Sequence, residues 1–127
     1  MAKIYTQKQI EKYKRQKYLS TLNKCTKNLY KLFKNPSTTY EDYKKRFSKL
    51  KEELDNQEAV YLESEYSRRT KEYIENLYNL TIKNKEFTTN DFLEIKDTQI
   101  TKLNGLQKLK NRAKYNKEKH KAKIFEE

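Results

Sequence analysis

A chain of 127 residues, 34% hydrophobic and 38% charged, has room for one domain with a modest core, and its 30 Lys/Arg against 18 Asp/Glu give a net charge of +12. One Gly and one Cys exclude a phosphate-cradling glycine loop and an internal disulfide, and one Cys on an apolar stripe with one His in a basic tail leaves poor parts for a Cys/His metal site or a nucleophile–histidine pair. The longest apolar run, Ala59 to Leu62, is far short of the roughly 20 residues of a membrane span.

The first predicted helix covers 7–34. Tyr18, Leu22, Cys25, Leu29 and Leu32, with Leu19 and Phe33 beside them, recur at helical spacing and mark the core face. Lys17, Lys24, Lys27, Lys31 and Lys34 fall on the opposite face, with Tyr13 among them. Upstream, Lys8, Lys12, Lys14 and Arg15 occupy azimuths that a core face would need, so this stretch is expected to project as a basic N-terminal arm.

Pro36 ends the helix, because the residue before a proline is pushed out of helical geometry. Thr38-Thr39-Tyr40-Glu41 then reads as a capping box opening a second helix over 39–55. Tyr40, Tyr43, Phe47, Leu50, Leu54, Gln57 and Tyr61 keep the three-four spacing of a coiled-coil-like seam. The phase slips at Asp55-Asn56-Gln57-Glu58, after which Leu62, Tyr66, Tyr73, Leu77 and Leu80 form a new stripe. Residues 57–83 are therefore expected as a separate helix, with one long helix as the alternative.

Lys83 to Thr89 reads as a connector, with Thr88, Thr89 or Asn90 available as the next cap. Phe92, Leu93, Ile95, Ile100, Leu103, Leu106 and Leu109 supply the apolar positions of one or two helices over 90–113, and residues 114–127 read as a basic tail. The expected fold is all-α: a single domain, a small bundle or helical hairpin of three to five helices with a central seam. Cys25, on the core stripe, is expected to be a buried packing residue, not a redox thiol.

The charge is sorted along the chain. Residues 1–35 carry ten basic residues against one acid and residues 102–123 nine against one, whereas 36–101 carry eleven against fourteen. A codon bias toward lysine would spread it evenly, so the sorting needs another cause. Concentrated positive segments attract polyanions, and lysines act as point charges suited to phosphate backbone more than to base reading. The residues expected at such a nucleic-acid interface are Lys17, Lys24, Lys27, Lys31, Lys34 and Tyr13, with Lys108, Lys110 and Arg112.

Phe87 to Ile95, Lys96 to Gln99 and Ile100 to Leu109 also loosely follow helix-turn-helix spacing. Leu93, Ile95, Ile100 and Leu103 take the apolar positions, although Thr89, Asn90 and Glu94 stand where an apolar residue, a small one and glycine are usual. In that arrangement Thr98, Gln99, Thr101 and Lys102 would face the groove; ordinary packed helices are the simpler reading.

Catalytic parts are scarce. His120 lies in the basic tail, and Glu63, Glu65, Glu72 and Glu75 read as a solvated helix face, not metal ligands. The expectation is a non-enzymatic, cofactor-free and metal-free cytoplasmic protein of the compact kind that phages and mobile elements encode. It would bind DNA or RNA electrostatically as a regulatory or accessory factor. The alternative is an assembly factor or inhibitor docking on an acidic protein surface through Tyr-rich faces, as a monomer or a homodimer.

Overall fold

The computed structural model describes residues 6–111, whose regular elements are all helices joined by connectors, with no strand among them. The basic tail, with Arg112 and His120, lies outside the described residues, as do the first five residues of the expected arm.

Helix α1 spans Gln7–Lys34. Thr6 caps it in a capping box with Gln9, and Asn35, in extended geometry before Pro36, closes it. The expected boundaries hold because both ends carry strong local signals. The buried face is the predicted one: Tyr18, Leu19, Leu22, Cys25, Leu29, Leu32 and Phe33. Residues 7–16 are turns of this same helix, and Lys14 pairs with Glu58 from the α2–α3 connector.

Helix α2 spans Tyr40–Asp55 and buries Tyr40, Tyr43, Phe47, Leu50 and Leu54 within the single chain. The capping box sits one residue later than expected: Thr39 caps, and Asp42 reaches back. Thr38 is buried instead, its amide bonded to the Asn35 carbonyl and its own carbonyl accepting from Lys96.

A nine-residue connector, 56–64, follows α2, so the chain breaks where the phase slips but restarts later than expected. Ser64 caps α3, Glu65–Tyr78. Gln57 keeps its inward role by donating to Thr21 Oγ1 at 2.7 Å, but Tyr61 is 74% exposed and belongs to no seam. The three-four spacing ran past the end of the helix.

After Tyr78 the helix widens into a π-helical turn over Asn79–Lys83. Thr81 lies buried in this turn, its hydroxyl donating to the Leu77 carbonyl at 2.8 Å. Leu80, expected on the core stripe, is turned outward here.

Helix α4 runs unbroken over Thr89–Lys110, capped by Thr88 with Asp91. This overturns the helix-turn-helix reading: Lys96 to Gln99 is helical, Leu93 is 56% exposed, and Gln99 is buried with its Oε1 accepting from Tyr73 at 2.8 Å. No turn separates two helices.

Helix α1 touches each of the other three. Helix α4 runs back along it, with Phe92 packed on Phe33, Leu103 and Leu106 beside Thr26 and Tyr30, and Lys110 reaching Asn23. The core is aromatic near the C-terminal end of α1, where the Tyr43 ring lies 5.3 Å from Phe33, 5.6 Å from Phe47 and 4.9 Å from Phe92. Tilted ring pairs at these separations add about 0.5–1.5 kcal/mol each beyond burial. Rings thus stand in for the aliphatics the composition lacks.

Candidate nucleic-acid interface

The lysine face of α1 exists because its opposite face is committed to the core. Lys17, Lys24, Lys27, Lys31 and Lys34 are all exposed. Their surroundings divide them into two groups.

Toward the N-terminal half the cations meet acids from α2 and the connector. Lys24 Nζ lies 3.1 Å from Glu53 Oε2, and Lys17 shares a cleft with Lys14, Gln57 and Glu58. The Lys14 ammonium holds the Glu58 carboxyl below its ordinary pKa through a hydrogen bond and its charge. Tyr13, 49% exposed, has the Lys12 ammonium 5.6 Å from its ring centre.

Toward the C-terminal half the setting changes. Lys27 and Lys31 have no carboxylate partner among the described residues, and α1 carries no acid beyond Glu11. They border a groove of about 440 Å³ between α1 and α4, walled by Tyr30, Tyr66, Leu103 and Leu106, with Thr26, Asn104 and Gln107 supplying polar groups. Its wall is mainly apolar. Burial holds the Tyr66 phenol above its ordinary pKa, so it stays a neutral hydroxyl. Lys34 sits against the same wall, its ammonium 5.3 Å from the centre of the Tyr30 ring and 3.2 Å from the Tyr30 hydroxyl.

A second groove, about 450 Å³, lies on the other side of Leu106 between α3 and α4. Arg69, Lys102 and Lys108 bring three cations to it, with Tyr73, Gly105 and Leu109. Arg69 is shared with Glu65 at 2.8 Å. Helix α4 has no acid after Asp97, so the outer turns of α4 present cations on one flank and face the α1 lysines on the other.

The expected residues therefore separate. Lys27 and Lys31 meet at the first groove, Lys34 lies against the Tyr30 ring outside its lining, and Lys108 joins Lys102 and Arg69 at the second. Lys24 is answered by Glu53, while Lys110 donates to Asn23 Oδ1 at 2.8 Å and ties α4 to α1. Tyr13 stands apart near the start of α1. The aromatic wall of Tyr30 and Tyr66 is not legible as a site in the sequence, because Tyr30 lies beside one core stripe, Tyr66 lies on another, and only the return of α4 makes a groove beside them.

Lys51 is a further residue that periodicity does not reveal. It lies buried on α2, with its ammonium 2.7 Å from Asp55, 3.2 Å from Glu75 of α3 and 5.1 Å from the Tyr78 ring centre. Burial disfavours its charge, but the hydrogen bonds to both carboxylates outweigh that cost and raise its pKa. Glu75 thus serves an ion pair, as Glu65 does with Arg69.

Among the described residues no group of three or more His, Cys, Asp and Glu side chains is gathered so as to hold a metal ion, and no helix is long and apolar enough to cross a membrane. Burial pushes the Cys25 thiol up to about 12, which keeps it protonated and unreactive. No family model, curated protein or solved structure matches the chain.

Proposed function

We propose that this chain is a small helical nucleic-acid-associated protein whose main grip is on the phosphate backbone. The observation that carries the reading is the acid-free half of α1 lying beside the acid-free half of α4, with Lys27 and Lys31 on one flank of Leu106 and Lys102 and Lys108 on the other. Lysines held on rigid helices act as a fixed array of point charges, and each phosphate they neutralise releases a counterion. Such an array positions a strand without reading its sequence.

The rival reading, docking on an acidic protein surface, draws on the same charge. Its separate support was a Tyr- and Phe-rich seam open to a partner. Tyr40, Tyr43 and Phe47 are instead consumed in the chain's own core. Among the described residues, the exposed large apolar side chains, Tyr13, Tyr61, Leu80 and Leu93, are scattered over four elements or connectors. Backbone binding is the reading with the more organised surface.

The test is a salt titration of the full chain with a DNA duplex, a DNA single strand and an RNA single strand. Binding that weakens linearly in log–log form, by about 0.7–0.9 per phosphate contact, is the expected result. Undetectable binding to all three at about 50 mM salt overturns the proposal.

A further inference from the structure

The groove between α1 and α4 has features that phosphate neutralisation alone does not need. A purely electrostatic grip is satisfied by cations on an open surface. Here Lys27 and Lys31 border a recess of about 440 Å³, within the roughly 300–1,000 Å³ typical of sites for compact ligands. Tyr30 and Leu106 wall it, and the amides of Asn104 and Gln107 line the α4 side. Cations beside an aromatic wall match a ligand that joins a flat ring to a phosphate.

We infer that this groove takes one unpaired base of a single-stranded nucleic acid, packed against Tyr30 and Leu106, with the adjoining phosphates on Lys27 and Lys31. The inference rests on the proposed backbone-binding function and adds its substrate class: an unstacked strand in preference to a closed duplex. Base–aromatic stacking tolerates any base, because every base offers a π-face. The amides of Asn104 and Gln107 can donate to or accept from a base edge, which gives a mild preference and no strict sequence requirement. In a duplex the bases are paired and stacked, so reaching the groove requires taking one out of the stack.

The experiment compares the full chain on four labelled ligands of equal length, about twelve nucleotides, at one salt concentration: oligo-dT, oligo-U, an abasic strand with the same phosphates, and a duplex. Two variants accompany it. Tyr30→Leu removes the ring while keeping an apolar wall, and Asn104→Trp fills the groove from an exposed position on α4. Circular dichroism identifies any variant that has lost its helices; Asn104→Trp carries the test if Tyr30→Leu has. The expected result is that oligo-dT or oligo-U binds about tenfold tighter than the abasic strand, and that each folded variant reduces this ratio to near one while still binding the abasic strand. Equal affinity for base-bearing and abasic strands overturns the groove assignment but leaves backbone binding intact. Failure to bind any of the four overturns both. A folded Asn104→Trp that keeps the tenfold ratio also overturns the assignment.

Discussion

The Tyr43 hydroxyl lies 2.7 Å from Thr81 Oγ1, and this buried bond ties the second helix to the π-helical turn that ends the third. Thr81 spends its hydroxyl hydrogen on the Leu77 carbonyl, so Tyr43 must be the donor. Tyr40, one turn earlier, donates to the Thr81 carbonyl. Both lone-pair-bearing atoms of one threonine are thus matched to phenols three residues apart, and Thr81 admits no solvent. Thr81→Val strands the buried Tyr43 hydroxyl and is expected to cost about 1–3 kcal/mol in chemical denaturation. Adding Tyr43→Phe removes the stranded group, so the double variant should lose less than the two single losses combined. Full additivity contradicts the coupling.

Cys25 gives the chain an alkaline weakness with a definite sign. Its folded pKa is raised to about 12 from an ordinary value of 9.0. The stability this contributes is fully present below about pH 9, where both folded and unfolded thiols are protonated. It falls as pH rises toward 12, because only the unfolded chain releases the proton. The expected slope is about 1.4 kcal/mol per pH unit from this one group. Cys25→Ala should flatten the decline relative to the parent, and the native thiol should react with a disulfide reagent only at the rate of unfolding. Rapid labelling of the folded protein contradicts the burial.

Gly105 sits in mid-helix with nothing within 4 Å of the position a Cβ would take. Nothing among the described residues calls for a glycine there, and glycine costs a helix interior about 0.5–1 kcal/mol relative to alanine. Gly105→Ala is expected to stabilise the protein by that amount in a denaturant titration. A loss of stability contradicts the description of α4 as a regular exposed helix at this point.

Much of this architecture was legible in the residues, and the failures have physical causes. The end of α1 is legible because Pro36 acts locally, whereas the Thr6 capping box that starts it emerges only in the structure. The Tyr40 to Leu54 stripe was legible because its spacing is helical and its inward face uniform. Tyr61 was misplaced because three-four spacing carries no mark of where a helix stops, and the connector repeated it by accident. Gln99 and Lys51 point inward because Tyr73 and Glu75, on another helix, complete their polar groups, and no local pattern reports a partner 24 or 26 residues away. The α1 lysines were found as a stripe, but their division into acid-paired and unpaired sets depends on where Glu53 and Glu58 return to them.

That division yields a prediction about Lys24. Its pairing with Glu53 is solvent-exposed on both sides, so breaking it should change stability by less than about 1 kcal/mol. Glu53→Gln frees the ammonium and is expected to tighten polyanion binding and steepen its salt dependence. Lys24→Gln should change binding less than Lys27→Gln does. Equal losses in these two lysine variants contradict the division.

The central claim is that Lys27 and Lys31 contact phosphates, and its most direct measurement is the log–log salt slope for a single strand with the parent chain and with Lys27→Gln/Lys31→Gln. Two lost contacts should make the slope shallower by about 1.4 while the helical content stays unchanged. A double variant that binds with the parent's slope would contradict it.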